Sequence, residues 1–252
     1  NGNLRLSELE KINQFPMKNH FIDLTDDMFN IEEIAKNWLP AQKRINLDNS
    51  IKFFKTHNAF CKYKNFVFTD KKNTLATIYI VRDPRNIISS LAYHYSLDID
   101  SAKKMLFSSK RVLGNETSYK SKGHVYTVLG NWADHYNSWK KFKKNNILVS
   151  YEKLLNEPNK EFFKICTFLT KITNLNFEEN QILQAIEKCN FKNLQNAEQI
   201  DGFIEATADE NGNKKKFFNL GPNNNWKKLL DKEIILEIEK IFENEMRELN
   251  YI

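Results

Sequence analysis

The sequence predicts an α/β domain in which a central parallel sheet is flanked by helices. Three short apolar runs, at residues 51–55, 76–81 and 147–151, are typical of strands, and helical patterns lie between and after them. The chain has 252 residues, of which 41% are hydrophobic and 13% aromatic, enough to bury one large core. We therefore predict a single domain over residues 1–252.

Two helices are predicted by apolar residues at helical spacing. The first covers residues 84–95, directly after the second strand. The second covers residues 125–142 and carries Trp132, Tyr136 and Trp139 on one side. Aromatic residues in this spacing favour a packing role for the helix.

The carboxyl-terminal half is predicted to be mainly helical, with one interruption. Helical patterns cover residues 158–169 and 231–249. Between them, residues 200–225 are rich in Asn, Gly and charge, which predicts a long loop that is either functional or mobile.

The stretch that says most about function runs from Thr77 to Ser90, where an apolar strand passes directly into a helix. Asp83 can cap the new helix, and Pro84 occupies a first-turn position at which its missing N–H costs nothing. Free backbone donors and the positive end of the helix dipole make such a junction an anion site. Arg82 adds the planar guanidinium that suits phosphate.

This stretch resembles the 3′-phosphate-binding segment of the sulfotransferases that use 3′-phosphoadenosine 5′-phosphosulfate (PAPS). In that family, an arginine at the end of the strand and a serine eight residues later hold the 3′-phosphate, so the resemblance implies these roles for Arg82 and Ser90. It also implies the family's fold, which is like that of the P-loop nucleotide kinases. The alternative for this segment alone is a helix cap with a surface arginine and a helical serine bonded to its own backbone.

The first predicted strand ends in Lys55-Thr56-His57, at the sheet edge where open parallel sheets bind their ligands. Sulfotransferases carry Lys-Thr-His at this point, and the resemblance implies that His57 is the general base for the acceptor. Histidine suits that role because its ordinary pKa, about 6.5, leaves it largely neutral at pH 7. By the same resemblance, Lys55 would offset negative charge on the transferring sulfonate or the bridging oxygen. The alternative for His57 is a strand-end histidine bonded to a carbonyl.

Two aromatic residues match positions that contact the adenine base in the family. Tyr151 is the last residue of the third predicted strand and precedes a glutamate, as in the family, where the tyrosine lies beside the adenine. Its alternative is a buried aromatic bonded to the backbone. Phe191 stands where the family often has Ser-Phe, and the resemblance implies that its ring stacks on the base.

Residues 214–227 resemble the family's carboxyl-terminal motif, which reads Arg-Lys-Gly, two variable residues, then Gly-Asp-Trp. Gly221 and Trp226 keep their places, whereas Asn219 and Leu220 replace the basic pair that normally grips the 3′-phosphate. Backbone N–H groups around Leu220 and Gly221 could substitute, as could the lysines at 214–216. The alternative for these lysines is a solvated surface run.

One family motif has no counterpart in the sequence, the Pro-Lys-Ser-Gly-Thr-Thr-Trp-like loop that cradles the 5′-phosphosulfate. The residues before Lys55 have only the spacing that follows this loop in relatives. We therefore expect the natural protein to extend upstream, so that the sequence is incomplete at its amino terminus. A chain that is inactive without this loop is one of the expected alternatives.

Composition limits the partners. The net charge of +6 comes from lysines interspersed with glutamates, which favours a nucleotide over a nucleic-acid duplex. No apolar run reaches the length of about 18 residues that a membrane span requires, so we expect a cytoplasmic protein without a membrane span. The three cysteines are far apart, a spacing that favours neither a disulfide framework nor a metal site.

Together these observations predict a PAPS-dependent sulfotransferase that moves a sulfonate group to a hydroxyl or amine acceptor and releases adenosine 3′,5′-bisphosphate (PAP). The acceptor would be a small molecule or a glycan or lipid, and no metal is required. The oligomeric state is open, with a homodimer among the options. Two alternatives remain: a small-molecule kinase on the same scaffold, and a nucleotide-binding remnant without catalysis.

Overall fold

The computed structural model describes residues 5–9, 13–209 and 211–252. Within these ranges, helices dominate and short strands occur in pairs. The predicted α/β class is confirmed, although the strands are shorter than an extended central sheet would require.

The strands pair two by two. In chain order they are β1 (Asn13–Gln14), β2 (Phe54–Lys55), β3 (Lys62–Tyr63), β4 (Phe66–Val67), β5 (Thr77–Val81), β6 (Val112–Leu113), β7 (Thr127–Val128) and β8 (Asn146–Ser150). Strands β1 and β2 are parallel, with Asn13 opposite Phe54 and Gln14 opposite Lys55. The pairs β3–β4 and β6–β7 are antiparallel, and β5 pairs with β8.

The first predicted strand is mostly absent. Only Phe54 and Lys55 of residues 51–55 are in a strand, and residues 51–53 are exposed, so no buried face stabilises a longer one. The second and third predicted strands are confirmed to within one residue at each end, as β5 and β8. Strand β8 ends at Ser150 because the Ser150 hydroxyl caps the next helix by accepting from the Lys153 N–H at 3.3 Å.

The helices of the described chain are α1 (Leu6–Leu9), α2 (Ile31–Lys36), α3 (Trp38–Ile45), α4 (Pro84–Tyr95), α5 (Ile99–Phe107), α6 (Glu116–Lys122), α7 (Trp132–Lys140), α8 (Tyr151–Asn156), α9 (Pro158–Ile172), α10 (Glu179–Lys188), α11 (Phe191–Asp201), α12 (Trp226–Leu229), α13 (Lys232–Ile241) and α14 (Glu243–Glu248). Two 3-10 turns, Lys18–His20 and Gly221–Asn223, complete the set.

Helix α4 has the predicted bounds, but the helix predicted over residues 125–142 is wrong at its start. Helix α7 begins only at Trp132, because Gly130 has a φ of +69° and the Asn131 side chain caps the helix by accepting from the Asp134 N–H. The residues before Gly130 form β7 instead. The helix predicted over residues 231–249 is divided into α13 and α14, which meet at Phe242.

The described contacts divide the chain into two compact units. The first unit contains residues 5–9, 80–106, 147–209 and 211–252. In it, Ile147 and Val149 of β8 pack against Ile165 of α9, because alternate residues of the strand point to the buried side. The prediction of a single domain stays a prediction.

The second unit contains residues 13–79 and 107–146 and has an aromatic core. Trp38 is fully buried and lies edge-on to Phe68, with ring centroids 5.4 Å apart. Trp139 of α7 lies edge-on to the same Phe68 ring at 6.2 Å. Large rings in these geometries bury much apolar surface, which accounts for the packing role predicted for α7.

Candidate functional site

The first unit contains the junction of β5 and α4 that the sequence singled out. The carboxylate of Asp83 accepts a hydrogen bond from the Arg85 backbone N–H at 2.9 Å, and Pro84 is the first helical residue. The predicted cap is therefore confirmed. Arg82 lies immediately before this cap, at the carboxyl end of the strand, where the helix dipole favours an anion.

Three of the predicted nucleotide-binding residues lie together at this junction. The Arg82 guanidinium stacks on the ring of Tyr151, with its carbon 4.4 Å from the ring centroid. Its Nη1 makes a long hydrogen bond of 3.4 Å to the Ser90 hydroxyl on α4. All three side chains are half-buried. Stacking restricts the plane of the guanidinium, and a guanidinium next to a hydroxyl supplies the kinds of donor that suit phosphate oxygens.

The segment from Gly221 to Trp226 docks on α4 through Asn224, a residue that the sequence did not indicate. The Asn224 amide nitrogen donates to the Asn86 carbonyl oxygen and to the Ser90 hydroxyl, both at 2.9 Å. The Trp226 N–H donates to the side-chain oxygen of Asn86 at 3.0 Å. These bonds bring the carboxyl-terminal motif next to the serine expected to hold the 3′-phosphate.

Phe191, Leu220 and Gly221 form a second group in this unit. Gly221 has a φ of +49°, and a Cβ atom at this position would overlap the Phe191 ring. The half-buried Phe191 thus packs directly on the glycine backbone. Leu220 is also half-buried, and its carbonyl oxygen accepts from the Asn223 N–H at 2.9 Å. The nucleotide contacts proposed for these three residues stay predictions.

A buried ion pair between Arg85 and Asp83 stabilises the junction of β5 and α4. Arg85 is 4% exposed and donates from Nε and Nη2 to the Asp83 carboxylate, with Nη2 at 2.7 Å. Nη1 pairs with Glu239, Nη2 also donates to the Tyr251 carbonyl oxygen at 2.9 Å, and the guanidinium lies 3.9 Å from the Trp226 ring centroid. Burial alone lowers the pKa of Arg85, but the carboxylates of Asp83 and Glu239 outweigh burial and raise it.

Glu152 links this ion pair to β8. Its carboxylate accepts from the Asp83 backbone N–H at 2.9 Å, from the Ser150 hydroxyl at 2.9 Å and from the Tyr251 hydroxyl at 3.0 Å. Burial raises the pKa of Tyr251, and the neighbouring Glu152 charge raises it further, so this phenol stays protonated as a donor. The backbone of Asp83, the capping residue next to Arg82, is therefore fixed by a side chain that lies 69 residues further along the chain.

The second unit contains the two residues predicted to act on the acceptor. Lys55 ends β2, where its carbonyl oxygen accepts from the Phe15 N–H at 3.0 Å, and His57 follows as an exposed residue. The next residue, Asn58, is fully buried and accepts from the Val128 N–H at 2.8 Å. The exposed His57 therefore lies between two residues, Lys55 and Asn58, that are held by hydrogen bonds.

His135 fixes the His57 backbone, a contact that the aromatic spacing of α7 did not reveal. Its Nε2 lies 3.1 Å from the His57 carbonyl oxygen, and its Nδ1 lies 2.9 Å from the Tyr79 hydroxyl. A carbonyl only accepts, so Nε2 carries the proton and, in the neutral ring, Nδ1 accepts from Tyr79. Burial lowers the pKa of His135, and its bond to His57 offsets this in part.

The structure thus brings together Arg82, Ser90 and Tyr151 in the first unit, while Lys55 and His57 belong to the second. The side chains that sequence reasoning missed are Asn224 and Arg85. A partial signal for Arg85 was present, because it shares the Asp-Pro-Arg turn with the helix cap.

The described ranges contain neither a metal-binding cluster of side chains nor a helix suited to span a membrane. No group of three or more His, Cys, Asp or Glu side chains there is arranged to hold a metal ion. None of the helices in the described part of the chain combines the length and apolar character needed to cross a membrane.

Curated relatives of the chain are sulfotransferases of low identity. Sulfotransferase 2A1 of Macaca fascicularis is 23% identical over 209 residues, which are 82% of this chain and 68% of the relative. The 3-beta-hydroxysteroid sulfotransferase of Cavia porcellus is 23% identical over 221 residues, 83% and 69% of the two chains. The amine sulfotransferase of Oryctolagus cuniculus is 23% identical over 183 residues, 71% of this chain and 56% of the relative.

Two solved structures have a similar fold. Mouse sulfotransferase SULT7A1 complexed with PAP superposes with a TM-score of 0.54 at 18% identity, covering 94% of this chain and 82% of that one. Retinol dehydratase in complex with androsterone and inactive cofactor PAP gives a TM-score of 0.55 at 17% identity, covering 90% and 64%. The chain spans just under two thirds of that structure's length. These likenesses confirm the predicted fold class, the P-loop-like α/β fold of sulfotransferases.

The family model described as "Sulfotransferase domain" matches residues 4–250, nearly the whole chain. With the Arg82 junction, the relatives and the fold in agreement, the chain belongs to the sulfotransferase domain family.

Proposed function

We propose that this chain is a PAPS-dependent sulfotransferase that transfers a sulfonate group to a hydroxyl or amine acceptor and releases PAP. The observation that supports this most directly is the cluster of Arg82, Ser90 and Tyr151. A guanidinium, a hydroxyl and an aromatic face within contact distance of one another are the groups needed to hold a phosphorylated nucleoside.

The nucleotide would be held by residues of the first unit. Arg82 and Ser90 would bind the 3′-phosphate, and Tyr151 would lie beside the adenine. Phe191 would stack on the adenine base, while Leu220 and Gly221, next to it, would contribute backbone N–H groups to the phosphate. The two solved structures described above are complexes with PAP, which supports this assignment.

The transfer chemistry would depend on the second unit. Bound PAPS supplies the sulfonate together with a bisphosphate leaving group. His57 would take the proton as the acceptor oxygen or nitrogen forms its bond to sulfur and the bond from sulfur to the 5′-phosphate oxygen breaks. Lys55 would offset the negative charge that develops on the bridging oxygen. The protein's main contribution is then to position the groups and stabilise charge.

We propose a small-molecule acceptor. The Cavia porcellus relative is a 3-beta-hydroxysteroid sulfotransferase and the Oryctolagus cuniculus relative is an amine sulfotransferase, so hydroxyl and amine acceptors both occur among similar proteins. An alcohol, a phenol and an amine form the appropriate first panel.

Nucleotide binding is tested by calorimetry with PAP and with adenosine 5′-monophosphate at several salt concentrations. Arg82→Ala is expected to weaken PAP binding and to flatten its salt dependence, because one charged contact to phosphate is lost. Arg247→Ala is the matched control, since Arg247 is exposed and its guanidinium pairs with the exposed Glu243. An Arg82→Ala protein with the affinity of the native chain would contradict the proposal.

Catalysis is tested by following PAP release from PAPS with the acceptor panel. His57→Ala is expected to lower turnover roughly hundred- to ten-thousand-fold while PAP affinity stays nearly unchanged. Equal losses of turnover and affinity would indicate a structural histidine. PAP binding without turnover would favour the nucleotide-binding remnant, and phosphoryl transfer from ATP would favour the kinase.

A further inference from the structure

Asn224 is a buried amide in the position where the family's motif has its second glycine. It is 7% exposed, and each polar group of its side chain is bonded to α4. The oxygen accepts from the Ser89 hydroxyl at 2.8 Å, and the nitrogen donates to the Asn86 carbonyl and to the Ser90 hydroxyl. Because a backbone carbonyl only accepts, the bond to Asn86 fixes which end of the amide is the nitrogen.

These bonds determine the direction of the Ser90 hydroxyl. The Asn224 nitrogen donates to Ser90 Oγ at 2.9 Å, and Arg82 Nη1 donates to the same atom at 3.4 Å. A hydroxyl has two acceptor lone pairs and one proton, so the bond from Asn224 engages one lone pair, the long contact with Arg82 faces the other, and the proton is left to donate. Its acceptor within the chain is the Asn86 carbonyl at 3.4 Å, which is longer than a normal O–H···O bond. An anionic oxygen near Ser90 would accept this proton more strongly.

The same loop lacks the cationic pair of the family motif. Asn219 and Leu220 stand in those two positions, so the loop brings no arginine or lysine there. It brings instead a neutral amide whose nitrogen contacts the phosphate-binding serine directly. The loop that carries Asn224 would then contribute by orienting the Ser90 hydroxyl on α4. It would not add positive charge to the site.

We propose that Asn224 is a positioning residue that holds Ser90 as a hydrogen-bond donor to the 3′-phosphate and thereby sets the preference for nucleotides that carry this group. The inference rests on the proposed nucleotide-binding function. Asn224 acts through Ser90 and is not itself assigned to the reacting atoms.

The test compares the affinities for PAP and for adenosine 5′-monophosphate, which lacks the 3′-phosphate. In Asn224→Asp, the carboxylate accepts from Ser90 and turns its proton away from the nucleotide. We expect the ratio of the two affinities to fall at least tenfold, with PAP binding bearing the loss. Asn223→Asp adds the same charge at an exposed neighbour and is expected to keep the ratio within about twofold.

A double variant of Asn224 and Ser90 shows whether Asn224 positions the Ser90 hydroxyl or only holds the loop on α4. Ser90→Ala should lower the ratio by a similar factor, and adding Asn224→Asp to it should lower the ratio little further. Melting curves establish that each variant is folded, and Asn224→Ala replaces Asn224→Asp if the latter is not. Asn224 variants that weaken both nucleotides equally, or that keep the ratio, would overturn the inference. A native chain without preference for PAP would overturn the proposed function and this inference together.

Discussion

The imidazole of His135 donates from Nε2 to the carbonyl oxygen of His57, over 3.1 Å. The bond joins α7 to the segment after β2, two elements separated by 78 residues in the chain. It leaves the His57 ring exposed while fixing the backbone that carries it. The backbone of the proposed base is therefore fixed by a second histidine, whose tautomer is set by this bond to a carbonyl, with the Tyr79 hydroxyl donating to Nδ1.

His135→Phe keeps a ring in this place but removes both hydrogen bonds. We expect turnover to fall by roughly tenfold and PAP affinity to stay unchanged, because only the backbone of the proposed base loses its support. The unfolding free energy should drop by roughly 1 kcal/mol through the bonds lost to His57 and Tyr79. Adding Tyr79→Phe should restore part of the stability without restoring turnover. Kinetics and urea unfolding measure the two effects separately.

Stability should decrease as the pH falls below about 6.5, the ordinary pKa of histidine. Burial lowers the pKa of His135 and of His20 in the folded state, so below this pH the unfolded chain binds more protons. Each histidine contributes a slope of at most about 1.4 kcal/mol per pH unit. Urea unfolding from pH 5 to 8 should give a smaller slope of unfolding free energy against pH for His135→Phe than for the native chain. In His20→Phe, the part of the slope that comes from His135 should remain. Identical slopes in all three proteins would refute this.

Arg85→Ala should be strongly destabilising. It removes the partner of two carboxylates, Asp83 and Glu239, and we expect a loss of roughly 3–5 kcal/mol because the Asp83 charge stays buried. Arg247→Ala, which breaks an exposed pair with Glu243, should change the unfolding free energy little. Equal effects of the two substitutions in chemical denaturation would show that the buried pair contributes no more than the exposed one.

Gly221→Ala should cost more than an ordinary glycine substitution. The backbone at φ +49° costs an alanine roughly 1–2 kcal/mol, and overlap with the Phe191 ring adds roughly 1–3 kcal/mol. Gly212→Ala is the control, since Gly212 has a φ of +82° but no atom within 4 Å of the added Cβ. In a Phe191→Ala background, Gly221→Ala and Gly212→Ala should lower the unfolding free energy by similar amounts. A persistent difference there would exclude the ring as its cause.

Sequence reasoning was accurate where structure depends on near neighbours. The cap by Asp83 acts over two residues, and Pro84 needs only its own ring to start α4. Both features could therefore be predicted from the sequence. Arg82 lies just before α4 and Ser90 lies on it, so their spacing was equally accessible. Gly130 shows the limit of this reasoning, because aromatic spacing extended the helix prediction past a residue whose backbone cannot continue it.

The missed residues depend on partners far along the chain. Asn224 bonds to Ser90 across 134 residues, and nothing in an asparagine-rich stretch distinguishes it from its neighbours Asn223 and Asn225. The aromatic spacing of α7 predicts only that the helix packs, and it does not show that Nε2 of His135 reaches the His57 backbone. Such roles follow from tertiary packing, which no local pattern encodes.

The bond between Arg85 and the carbonyl of Tyr251 closes a loop of 166 residues. On a growing nascent chain, the junction of β5 and α4 is synthesised early, but it lacks this bond until Tyr251 has left the ribosome. Because contacts between residues far apart in the chain slow folding, the proposed nucleotide site should form late, after the helices around it.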